Sequence, residues 1–162
     1  MKFFSVQLAL ICILFFCCSS NNSNSKSEES STNTTNEGVA LVTEVKVSGG
    51  ENDYTFSVTI SSPDKGCNQY ADWWEVVDLD GNLIYRRVLA HSHINEQPFE
   101  RSGGAVAISE DTIVYVRAHM NNTGYGEKVM KGKVEEGFKE FELGIFAEDL
   151  DKTEPLPTGC AF

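Results

Sequence analysis

Residues 73–90 read WWEVVDLDGNLIYRRVLA. Two apolar-rich runs, Trp73–Asp78 and Leu83–Ala90, flank Asp80-Gly81. Asp-Gly between such runs is a strong short-range hairpin signal, because glycine accepts the positive φ that a tight hairpin turn demands. The stretch predicts a strand, a turn and its return partner. Adjacent side chains on a strand point to opposite faces. Either Trp74 with Val76 fills the core while Trp73 with Glu75 faces outward, or the reverse. Arg86 and Arg87 on the return strand are expected to pair with Glu75 or Asp78 at the surface, where such pairs contribute little.

The same pattern continues on both sides. Val39–Ser48 alternates through Val45 and Val47, and residues 49–53 (GGEND) form a turn. Tyr54, Phe56, Val58 and Ile60 then repeat every second residue, the period of a half-buried strand. After the hairpin comes HSHINEQPFERSGG, residues 91–104, expected as a loop. Ala105–Ser109 predicts a short strand, and Thr112–Met120 (TIVYVRAHM) and Glu127–Glu135 (EKVMKGKVE) predict two more around an Asn/Gly-rich loop. Short strands at this spacing with no helical period predict an all-β antiparallel sandwich of about 100 residues.

Thr112-Ile113-Val114-Tyr115-Val116-Arg117-Ala118 with Gly124-Tyr125-Gly126 resembles the last hairpin of fibronectin type III domains. The resemblance implies an immunoglobulin-like/fibronectin type III-like β-sandwich over residues 38–135. It implies no activity, since this architecture hosts many functions. Residues 136–162 are then a C-terminal extension packed on the sandwich, with Phe138–Phe146 a further strand or extended arm, or a short helix over Phe138–Leu143.

The N-terminal region has another character. Lys2 precedes an apolar run, Phe3–Phe16, that is too short for an ordinary membrane span and has the order of a secretory signal. It ends in Cys17-Cys18-Ser19-Ser20, which resembles the bacterial lipoprotein signal that signal peptidase II cuts before a cysteine to be lipidated. The resemblance implies a signal peptide over residues 1–17 and lipidation at Cys18, with Cys17 as the alternative. Residues 19–37, SSNNSNSKSEESSTNTTNE, hold no aromatic or aliphatic side chain and cannot bury a core. With the lipidated cysteine they make an 18–37 segment, a stalk spanning roughly 25 Å. The expected location is the cell envelope, membrane-anchored and facing the periplasm or the cell surface.

Charge excludes one class of partner. With 13 Lys+Arg against 24 Asp+Glu the formal net charge is -11, so nucleic acid is not expected. Of five cysteines, only Cys67 and Cys160 fall in the folded part, and an oxidising compartment predicts a disulfide between them.

Candidate site residues gather at one end of the sandwich. Simple alternation of strand direction places the loops carrying Cys67 and Tyr70, His91, His93 and Glu96, and His119 with Tyr125 at the same pole. His91 and His93 share a face if their backbone is extended. With His119 and a carboxylate, Glu96 or Asp72, they would complete a zinc or copper site. Tyr70, Trp73, Tyr85 and Tyr125 suggest a binding surface for a protein or glycan partner. The alternative for the second tryptophan is burial under the C-terminal extension. No G-x-S-x-G, H-E-x-x-H or phosphate loop is present. The expected role is therefore that of a non-catalytic envelope lipoprotein, a binding or structural module, with metal binding and carbohydrate binding as alternatives.

Overall fold

The computed structural model describes residues 38–161. The expected signal peptide, lipidation at Cys18 or Cys17 and stalk lie outside these residues. Among the described residues nine strands are formed: β1 (Leu41–Gly50), β2 (Asp53–Ser61), β3 (Ala71–Val77), β4 (Leu83–Val88), β5 (Phe99–Val106), β6 (Val114–Met120), β7 (Gly124–Tyr125), β8 (Lys128–Lys133) and β9 (Gly137–Glu142). A short 3-10 helix, Glu148–Lys152, follows. All strand pairs are antiparallel. One sheet has the order β1-β2-β5, the other β4-β3-β6-β8-β9 with β7 on β6. The predicted all-β sandwich of two antiparallel sheets is what forms.

The core explains the alternation read in the sequence. Tyr54, Phe56, Val58 and Ile60 from β2 meet Trp74 and Val76 from β3 and Val114, Val116 and Met120 from β6, and all are buried. Each such side chain contributes about 1.5–3 kcal/mol when removed from water. The choice left open for the tryptophans is decided: Trp74 and Val76 face the core, Trp73 and Glu75 the opposite side.

Two local readings are corrected, and one choice between strand and helix is decided for the strand. The strand expected at Ala105–Ser109 begins earlier, at Phe99, where Phe99 pairs with Ile60 and Arg101 with Val58. Its sequence, FERSGGAV, hides it because two positions must be glycine. A Cβ on Gly103 would lie 2.5 Å from the Tyr85 hydroxyl, and one on Gly104 2.7 Å from the Tyr54 carbonyl. β-branched residues, the usual strand signal, cannot stand there. Second, the loop after β6 contains β7, pairing Tyr125 with His119. Residues 137–142 form β9 and no helix; the beginning of the C-terminal extension completes the larger sheet. Phe138 packs edge-on against Phe56, 5.8 Å between ring centroids.

Candidate functional site

Between irregularities at its two ends β3 alternates from Trp73 to Val76, so Trp73 and Glu75 project from the outer face of the larger sheet. Registration across the sheet sets Arg86 of β4 and Arg117 of β6 on either side of Glu75. Glu75 is 0 % exposed. It accepts from Arg86 Nε and Arg117 Nε, each at 2.8 Å. The surface pairing expected for Arg86 is thus a buried one, in which a lone carboxylate neutralised by guanidinium forks avoids a large desolvation cost.

What seals this face is the chain after β9. Arg117 donates to the carbonyls of Phe146 and Ala147. Arg86 donates to those of Leu150, Thr153 and Pro155. Leu150 is itself buried. The arm is therefore held by its backbone, which explains why its sequence gives little sign of the docking. The arm ends at the predicted Cys67–Cys160 disulfide, Cα–Cα 5.6 Å, and Ala161 N donates to the Ala90 carbonyl.

Trp73 is 2 % exposed. Arg86 lies over its ring at 4.4 Å, and the His119 imidazole stacks on it at 3.7 Å. Tyr125 meets His119 edge-on and carries Arg117 over its own ring at 3.6 Å. Burial, reinforced by the Glu75 charge, pushes the Tyr125 hydroxyl far above the ordinary phenol range. Asp72 Oδ1 holds His119 Nδ1 at 2.7 Å. A carboxylate only accepts, so Nδ1 carries a proton towards Asp72 and Nε2 is the ring's remaining polar atom.

Between arm and sandwich lies a cleft of about 630 Å³, lined by Tyr70, Asp72, Trp73, His119 and Asn122 on one side and by Asp151 and Leu156 on the other. Burial raises the Tyr70 hydroxyl, with Asp72 and Asp64 adding to it. A second cleft of about 270 Å³ lies beside Ala161 and is lined by His91, His93 and Ile94. There the His93 backbone N–H donates to Asp64 Oδ2 at 2.7 Å. The ring stacks on Phe99 (3.8 Å) and meets His91 at a tilt of 37° (4.4 Å). Neither His93 ring nitrogen has a hydrogen-bond partner. Burial lowers its pKa, and the charges of Arg101 and His91 lower it further.

Of the predicted metal ligands, His91, His93 and Glu96 line the smaller cleft, while His119 lies in the larger one. His119 is bound to Asp72, His93 is packed on Phe99, and Glu96 is turned to Arg101 at 2.7 Å. Among the described residues no three His, Cys, Asp or Glu side chains are arranged to hold a metal ion. The predicted aromatic surface also divides. Tyr70 and Trp73 are buried and Tyr125 is half-buried. Tyr85 lies on the core side, tilted against Trp74 at 5.5 Å. Trp73 and Tyr85 therefore point to opposite faces and cannot form a shared exposed platform. Sequence reasoning missed the Arg117–Glu75–Arg86 bridge. Its signal was available: the three residues project to the same side once β3, β4 and β6 are set side by side.

No protein-family model matches the chain, and no solved structure matches it. A protein of Halomicrobium mukohataei whose name marks it as a candidate lipoprotein is 40% identical over 90 residues, 56% of this chain. The matched stretch spans 44% of that protein's length. Among the described residues no helix is long and apolar enough to cross a membrane.

Proposed function

We propose that the chain is a lipid-anchored protein of the cell envelope whose β-sandwich serves as a non-catalytic binding module. The anchor reading rests on the Cys17-Cys18 end of the apolar leader and on the name carried by the partial relative. The binding reading rests on one observation above the others. Of the side chains best suited to acid–base work, Glu75, Arg86 and Arg117 are tied to one another and to the arm, and Asp72 is tied to His119. Asp72 and His119 line the cleft beside the arm. Preorganised polar groups around a concavity are what a recognition site requires.

The anchor is tested by following the protein through detergent phase partition after expression in a bacterial host. Native protein is expected in the detergent phase. Cys18→Ser moves it to the aqueous phase or leaves the leader uncleaved, while Cys17→Ser keeps it with the detergent. Leader cleavage and detergent partition both retained by Cys18→Ser and by Cys17→Ser proteins would remove the anchor reading.

A further inference from the structure

We propose that the cleft between the C-terminal arm and the outer sheet face binds a neutral, polyhydroxylated ligand of saccharide type. This rests on the reading of the domain as a binding module and names its ligand class.

The cleft is built around polar atoms that the protein does not satisfy. Asp72 and His119 have side chains 6% and 9% exposed, and they spend one oxygen and one nitrogen on each other. No hydrogen bond within the described residues engages Asp72 Oδ2 or His119 Nε2. Asp72 Oδ2 and His119 Nε2 keep contact with solvent, whereas the Trp73 Nε1–H is buried without an acceptor, as is that of the core Trp74. A buried donor is nearly always paired, and solvent-accessible polar atoms in a concavity are free to meet a ligand. Here an unpaired carboxylate oxygen, an unpaired imidazole nitrogen and an unpaired indole donor belong to residues that line the same cleft.

Their chemistry selects the ligand. Asp72 Oδ2 accepts; Trp73 Nε1 donates; an imidazole nitrogen such as His119 Nε2 and the exposed Asn122 amide on the rim can take either role. A hydroxyl both donates and accepts, so a ring bearing several hydroxyls matches this mixed set. An anion is disfavoured by Asp72 and Asp151 in the lining and by the net charge of -11. The arginines that could offset them are committed to Glu75 and the arm carbonyls. A metal ion lacks a third donor among the described residues. A cleft of about 630 Å³ lies inside the roughly 300–1,000 Å³ of ordinary ligand sites, which suits one or two sugar rings.

The test uses the mature lipidated chain, ¹⁵N-labelled, in a zwitterionic detergent without a sugar headgroup. Maltose and N,N′-diacetylchitobiose are the probes. The protein has two tryptophans, giving two indole signals. The Trp73 signal and the His119 ring signals should shift saturably with at least one probe, while the core Trp74 signal stays in place. Asp72→Asn should weaken binding about tenfold or more, and Asn122→Ala about threefold. Absence of any saturable Trp73 shift with both sugars up to about 50 mM, a weak limit on the affinity scale, overturns the proposal. So does binding that Asp72→Asn leaves unchanged. Should Asp72→Asn lose the Trp74 signal and hence its fold, Asn122→Ala decides by the same criterion. Loss of sugar binding with Cys18-dependent anchoring intact defeats this site alone; loss of anchoring defeats the envelope reading and leaves the binding result standing.

Discussion

The His119 imidazole lies flat on the Trp73 indole, 3.7 Å between ring centroids and 6° from parallel. Asp72 fixes its rotation through Nδ1. Stack and hydrogen bond together leave one edge of the imidazole free, and cross-strand pairing of Trp73 with His119 makes the contact a property of the sheet. His119→Ala strands the Asp72 carboxylate, which is 4% exposed as a residue. A loss of about 1–3 kcal/mol is expected in urea denaturation. His119→Gln, which can still donate to Asp72, should recover part of it.

Glu75 is the keystone of the outer face. Glu75→Ala leaves two buried guanidiniums without a counter-charge and should cost about 3–5 kcal/mol. Equilibrium unfolding measures it. Arg86→Met should cost less in global stability, because Arg117 still neutralises Glu75. It should nevertheless release the arm around Leu150–Pro155, seen as faster amide exchange there.

The disulfide closes a loop with a sequence separation of 93. The chain-entropy model then gives it up to about 4–5 kcal/mol. Cys160→Ser should lower the melting temperature while β9 keeps its amide protection, since β9 is held by six register pairs with β8. Exchange should rise in residues 156–161 first, because the arginine contacts hold the arm only as far as Pro155.

How far the sequence carried is visible in these elements. The Asp-Gly hairpin, the β2 alternation and the cysteine pair were legible because each is a local pattern with a single physical cause. β5 was not, because close approach of Tyr85 and Tyr54 demands glycine where a strand would otherwise show branched residues. The three histidines were expected to converge from strand direction alone. Direction says which end a residue reaches and nothing about which face its side chain takes. Thus His119 belongs to the outer face, whereas His93 turns inward onto Phe99. The arm was legible only as an extension, since it docks through backbone carbonyls that no side-chain pattern records.

His93 gives a pH dependence with a definite sign. Its pKa is lowered in the fold by burial, Arg101 and His91, against smaller opposing contributions from Asp64 and Glu96. The unfolded chain, with an ordinary value of about 6.5, binds the proton more readily. Stability is therefore fully present above about pH 6.5 and falls as the pH drops below it, levelling under the folded value. Melting temperatures between pH 8 and 5 should show this slope. His93→Phe keeps the stack on Phe99, sacrifices no ring hydrogen bond, and should flatten it.

Zinc or copper added to the protein should perturb the three histidine rings independently, with no stoichiometric concerted shift, because His119 stands with Asp72 apart from the His91–His93 stack. A concerted shift of all three, abolished by His91→Ala, would restore the metal reading.

The most direct measurement of the lipid-anchored account is the intact mass of the mature protein extracted from bacterial membranes, with its N-terminal peptide sequenced. The account predicts loss of residues 1–17 and a diacylglyceryl-modified Cys18 at the new N-terminus. A chain that begins at Met1, or whose Cys17 and Cys18 both carry no lipid, would contradict it.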